Sequence, residues 1–135
     1  MPLPLNKASC PFDLSSSFLT LLNDEIQKAG ISPNQGAILT FRDPDYSPER
    51  GGYHPVEISV TKQGIVQYVT DFAFRGRAPY TELVKEIDFD FCSESFQHFG
   101  QEFPLHSGRE LFALWQRNFV SYFKSGVFTV EIEPF

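Results

Sequence analysis

The sequence predicts an α+β fold: a twisted, mainly antiparallel sheet of roughly five to seven strands, with an N-terminal and a C-terminal helix packed on it. Three observations carry that expectation. Short segments that alternate apolar and polar residues recur through the middle and at the end of the chain. One stretch of helical periodicity precedes them and another comes before the last of them. Phenylalanine is abundant, at 15 of 135 residues, and its bulk suits a half-buried pleated surface. The length fits one domain, 1–135, that buries about two thirds of its surface without a disulfide or metal staple.

The elements follow in order. Residues 1–11 carry Pro2, Pro4 and Pro11, read as an extended arm, and lack the apolar stretch of a signal peptide. Residues 13–29 read as a helix, with Asp13 as its cap and an apolar stripe of Leu14, Phe18, Leu21, Leu22 and Ile26. Gly30 stands where a left-handed C′ residue belongs, and Pro33 confirms the stop. Ala37, Leu39 and Phe41 alternate with Ile38 and Thr40 in a first strand. Val56, Ile58 and Val60 do the same in a second. Lys62-Gln63-Gly64 is a turn, and Val66, Tyr68, Phe72 and Phe74 mark the return strand of a hairpin. Ile87, Phe89 and Phe91 alternate with Glu86, Asp88, Asp90 and Cys92 in a further strand, and Phe96 to Phe103 reads as another. The second helix is expected over 108–124, opened by a capping box of Ser107 and Glu110 and closed at Gly126. Its core face would be Leu111, Leu114, Trp115, Phe119, Tyr122 and Phe123. A last strand turns Phe128, Val130 and Ile132 inward and Thr129, Glu131 and Glu133 outward.

Composition narrows the partners. Eleven basic against seventeen acidic residues leave a net charge of −6. Nucleic-acid binding depends on cations that release phosphate counterions, and an acidic surface is repelled by anionic lipid. A basic protein partner is favoured. No apolar run approaches the ~20 residues of a membrane helix. Cys10 and Cys92, far apart and in no metal-ligand spacing, read as free, buried or half-buried thiols of a cytoplasmic protein. Fifteen phenylalanines exceed what one small core hides, so a homo-oligomer, a dimer or a trimer, is expected.

Candidate chemistry is thin. The loop from Arg42 to Pro55 concentrates carboxylates, arginines, tyrosines and a histidine. It reads either as a rigid loop, with Asp43 making an Asx-turn and Gly51-Gly52 supplying positive φ, or as a binding loop through Asp43, Asp45, Tyr46, Arg50 and His54. A calcium loop is rejected, because its sixth and twelfth positions are Pro48 and His54. Asp43, Asp45 and His54 alone are a slender basis for a metal. Glu86, Asp88 and Asp90, at period two, fall on one strand face and read either as its solvent-facing side or as an acidic stripe suited to a basic partner. Arg75-Gly76-Arg77 reads as a solvated hairpin tip, and His98 and His106 as surface or capping residues. The Ser121–Lys124 spacing of some penicillin-binding enzymes lacks its companion motifs. No catalytic residue, cofactor or metal is assigned. The leading expectation is a non-enzymatic interaction protein. The alternative is a small-ligand binder or enzyme, which requires Asp43, Asp45, Arg50 and His54 to converge with Arg42 or Arg75 in a pocket.

The runs Phe41-Arg42-Asp43-Pro44-Asp45-Tyr46-Ser47, Gly51-Gly52-Tyr53-His54-Pro55-Val56-Glu57-Ile58, Tyr68-Val69-Thr70-Asp71-Phe72, Leu83-Val84-Lys85-Glu86-Ile87-Asp88-Phe89-Asp90-Phe91 and Leu114-Trp115-Gln116-Arg117-Asn118-Phe119 carry a resemblance over nearly the whole chain. Through them it resembles a bacterial family known as domain of unknown function 2787, which transfers no catalytic residue. That family is similar in structure to the mitochondrial acidic matrix proteins, which include a human receptor for complement. The resemblance implies an acidic, ring-forming homotrimer with a long antiparallel sheet flanked by helices and many partners. The final strand after the second helix departs from that pattern, which finishes in helices.

Overall fold

The computed structural model describes residues 10–31, 35–77 and 79–134. The arm expected over 1–11 lies outside them apart from Cys10 and Pro11, as does Pro33. Helix α1 spans Ser16–Lys28. Ser15, not Asp13, is its cap: the Ser15 hydroxyl accepts the Phe18 N–H at 3.1 Å. Its far end is a Schellman turn. The Gly30 N–H donates to the Gln27 carbonyl and the Ile31 N–H to that of Ile26, with Gly30 at φ 70°.

Strands β1 (Ala37–Arg42), β2 (Val56–Val60), β3 (Val66–Arg75), β4 (Glu82–Asp90), β5 (Ser95–His98), β6 (Gln101–Pro104) and β7 (Thr129–Pro134) form one seven-stranded sheet in the order β6-β5-β4-β3-β2-β1-β7. Every neighbouring pair is antiparallel. The stretch 96–103, expected as one strand, is a hairpin that reverses through Phe99 and Gly100, both at positive φ. A two-residue turn of that hand matches the twist of its strands.

Helix α2 spans Arg109–Lys124 and continues directly from a 3₁₀ turn, Leu105–Gly108. That turn occupies the position of the expected capping box, and no side chain caps α2. Its buried residues are Phe112, Trp115, Gln116, Phe119 and Val120. The face is therefore rotated from expectation: Leu114 is 47% exposed and Tyr122 39%.

Both helices bury their apolar stripes in one core with Leu39, Phe41, Ile58, Val69 and Phe89 on one face of the sheet. Buried Gln116 joins them, accepting the Ser15 N–H at 3.0 Å and donating to the Asp13 carbonyl at 3.2 Å. Asp13 thus serves as an acceptor between helices. Rings dominate the interior: Trp115 stacks on Phe119 with centroids 4.9 Å apart, and Phe41 meets Phe119 edge-on at 5.0 Å. Among the described residues only two phenylalanines, Phe99 and Phe103, are exposed. One core hides most of them, so the surplus behind the oligomer expectation is small.

Candidate functional site

Two irregularities in the sheet decide which side chains meet. At the β2–β3 pair, Val60 faces Val66 and Ser59 faces Tyr68, so Gln67 is an extra residue. This shift puts both Val66 and Val69 in the core and leaves Tyr68 on the opposite face. At the β3–β4 pair, Asp71 faces Ile87 while Phe72 faces Lys85. Glu86 has no partner on β3, although its carbonyl accepts the Phe99 N–H on the other side at 2.8 Å. A bulge of this kind turns the extra side chain toward the same side as its successor. Ile87 points at the helices, and Glu86 follows it.

The bulge breaks the expected acidic stripe. Asp88 and Asp90 stay on the face that carries no helix, while Glu86 enters a cavity of about 360 Å³ beneath α2, lined also by His54, Asp71, Trp115, Asn118 and Tyr122. There the His54 Nδ1 lies 2.8 Å from Asp71 Oδ1 and 2.8 Å from Glu86 Oε2. The other Asp71 oxygen accepts the Trp115 indole N–H at 3.0 Å. Nδ1 carries at most one hydrogen, so it donates to one carboxylate only. With that hydrogen on Asp71, Glu86 Oε2 is buried and receives none. The Asp71 hydrogen bond raises the His54 pKa above its ordinary value, burial opposes it, and the Glu86 charge adds to the rise.

The loop before His54 is held by its own backbone. Asp43 Oδ1 accepts the Asp45 N–H at 2.9 Å and Oδ2 the Tyr53 N–H at 3.0 Å. Ser47 and Gly51 bridge, and Gly51 and Gly52 take φ 72° and 128°. Tyr46 stacks on Phe74, its hydroxyl accepting the Phe74 N–H, and packs its ring 5.4 Å from that of His54. Asp45 and Arg50 are exposed. The convergence of Asp43, Asp45, Arg50 and His54 that the small-ligand alternative requires is therefore absent: Asp43 braces the loop, and of the four only His54 lines the cavity. Asp71, Trp115 and Asn118, which also line the cavity, are not among the site residues that the sequence suggests. Arg75 of the expected hairpin tip places its guanidinium over the Phe99 ring at 4.6 Å. Cys92 is exposed rather than half-buried, and burial raises the Cys10 thiol pKa.

The helix-free face is polar. Reading the ladder across all seven strands, Glu102, Gln97, Asp88, Thr70, Glu57, Thr40 and Glu131 fall in one transverse row. Every second strand contributes a carboxylate. The row on one side holds Asp90 and Glu133 and no Lys or Arg, while the row on the other side holds Arg42 and Lys85, whose Nζ lies 3.8 Å from Asp88 Oδ2. Thr70 donates to Asp88 at 2.7 Å and Tyr68 to Glu57 at 2.6 Å. Burial, and then that bond to Glu57, push the Tyr68 phenol well above its usual range.

A conserved hypothetical protein from pathogenicity island VPI-2 of Vibrio cholerae O1 biovar eltor shares this architecture. It is 30% identical with a TM-score of 0.78 over 92% of this chain and 97% of its own, and it is described as sharing structural homology with the human P32 protein. A hypothetical protein from the VSP-II pathogenicity island of Vibrio cholerae is 30% identical with a TM-score of 0.80 over 96% of this chain and 98% of that one. No curated protein matches. The family model described as a protein of unknown function, DUF2787, matches residues 16–133, from the first residue of α1 into β7. That match spans both helices and every strand that builds the cavity and the open face, and the chain belongs to the DUF2787 family.

Proposed function

We propose that this chain is a non-enzymatic, acidic protein-interaction module of the cytoplasm, whose helix-free sheet face receives a basic segment of a partner protein. The observation that carries the reading is the transverse row of Glu102, Asp88, Glu57 and Glu131. Strands stand about 4.8 Å apart, so carboxylates on alternate strands lie about 10 Å from one another. Two charges at that distance in water repel by about 0.4 kcal/mol before screening, small enough for the fold to tolerate. A lysine or arginine seated between them interacts favourably with both. A basic segment crossing the strands would meet this spacing repeatedly. Asp90 and Glu133 extend the same field, and Asp43 borders it from the neighbouring loop, lining one pocket with Thr40 and Glu57.

Likeness to a protein described as sharing structural homology with P32 supports the same reading, and with it a homo-oligomer, a trimer or a dimer. Light scattering of the purified chain tests the oligomer, which a monomer at high concentration refutes. Fluorescence anisotropy tests the face, using a labelled lysine-rich peptide and an acidic peptide of equal length. Binding of the basic peptide should weaken as salt rises. It should fall at least tenfold in a Glu57→Gln, Asp88→Asn, Glu131→Gln variant. Equal binding of the two peptides, or binding untouched by the triple substitution, refutes the reading.

A further inference from the structure

We infer that His54, Asp71 and Glu86 form a binding site for a divalent first-row transition cation in the cavity beneath α2. The site lies on the opposite face of the sheet from the acidic row and stands or falls independently of it.

Four observations support the assignment. First, the three ligand atoms converge from three separate segments and lie within 4.8 Å of one another. Two ligands about 2.1 Å from an ion and at right angles to each other are roughly 3 Å apart. Both separations from His54 Nδ1 are 2.8 Å, close to that edge. Second, the protons do not suffice for a hydrogen-bonded cluster. One Nδ1 hydrogen faces two carboxylate oxygens, and the buried Glu86 Oε2 has no donor. A cation in place of that hydrogen contacts all three atoms at once.

Third, the charge is uncompensated. Among the described residues that line the cavity none is Lys or Arg. Two carboxylates against one imidazole leave the cluster negative even when His54 is protonated. Fourth, the ligands are held by their surroundings. Trp115 fixes the far oxygen of Asp71. The backbone of His54's neighbour Pro55 accepts the Phe72 N–H at 2.9 Å, which ties the loop to β3. The bulge delivers Glu86 without disturbing the ladder on either side. Outer contacts of this kind orient metal ligands.

The donor set selects the ion. One imidazole nitrogen with two carboxylates suits manganese, iron, cobalt or zinc, whereas calcium and magnesium prefer oxygen alone. Three protein ligands leave positions open toward the cavity, where waters or a small ligand complete the shell.

The test is isothermal titration of the chelator-treated, dialysed full chain with zinc chloride and with manganese chloride, and magnesium chloride as comparator. The expected result is one equivalent of zinc or manganese bound, and at least tenfold tighter than magnesium. Glu86→Gln and Asp71→Asn should each weaken binding at least tenfold, with fold checked by circular dichroism. Glu57→Gln, on the other face, should leave it unchanged. Manganese should also broaden the His54 ring resonances of the unsubstituted protein, a readout that needs no variant to fold. No binding at millimolar zinc or manganese overturns the assignment. So does binding that survives Glu86→Gln, or manganese that leaves the His54 signals sharp.

Discussion

Replacing Trp115 by phenylalanine isolates the contact that positions Asp71. The phenyl ring keeps the stack on Phe119 but has no N–H for the Asp71 carboxylate. A hydrogen bond to a charged acceptor contributes roughly 1.5–3 kcal/mol when both groups are sheltered. The Asp71 side chain is 14% exposed and borders the cavity, so water replaces part of the loss, and about 1–2 kcal/mol is the expected share. The smaller ring also gives up roughly three buried atoms, worth about 1 kcal/mol more. The sum is about 2–3 kcal/mol, or a fall of about 6–12 °C in Tm for a domain of this size. Trp115 is the single tryptophan, so unfolding is followed by circular dichroism in urea rather than by its fluorescence. A double-mutant cycle with Asp71→Leu separates the two contributions, because the ring-size loss is the same in both backgrounds. The expected coupling is about 1–2 kcal/mol. A coupling near zero refutes the claim that the indole holds Asp71.

In chelator-treated protein, stability should depend on the charge of His54. Its folded pKa lies above the ordinary 6.5, so the stabilisation is fully present below that unfolded value and is lost as pH rises through the folded one. Urea midpoints should therefore decline as pH rises above 6.5 in the wild type, and His54→Gln should flatten that decline. Gly52→Ala should destabilise by about 2–4 kcal/mol, since its φ is 128° and a Cβ there sits 2.8 Å from Asp43 Oδ2 and 3.2 Å from the Tyr46 backbone. Gly51→Ala, with nothing within 4 Å, should cost only the roughly 1 kcal/mol of its left-handed backbone; equal Tm losses for the two would contradict the brace at Asp43.

Periodicity and glycine positions made much of this fold legible. The alternations over 37–41, 56–60 and 128–132, and the helix stop at Gly30, coincide with what the chain adopts. The site was harder to read because it depends on parity. A strict period of two assigns Glu86 to the face of Asp88 and Asp90, and a single bulge reverses it. Asp71 lay in a segment read through its aromatics Tyr68, Phe72 and Phe74, all of which stand on the face away from the helices. The core face of α2 was misjudged for another reason. Its aromatic and aliphatic residues surround much of the helix, so hydrophobicity alone did not separate Phe112 and Val120 from Leu114 and Tyr122. His54 was noticed for its residue type, but its companions come from strands 17 and 32 positions later, a distance that no local pattern spans.

The bulge at Glu86 also separates architecture from chemistry. Excising that one residue would bring Lys85 and Ile87 into consecutive positions opposite Phe72 and Asp71, the spacing an unbroken antiparallel ladder requires. The strand would close without a seam, its greasy neighbours still seated, while the acid facing His54 disappeared. A lineage could gain or discard this third ligand by a single codon insertion or loss, leaving the scaffold intact.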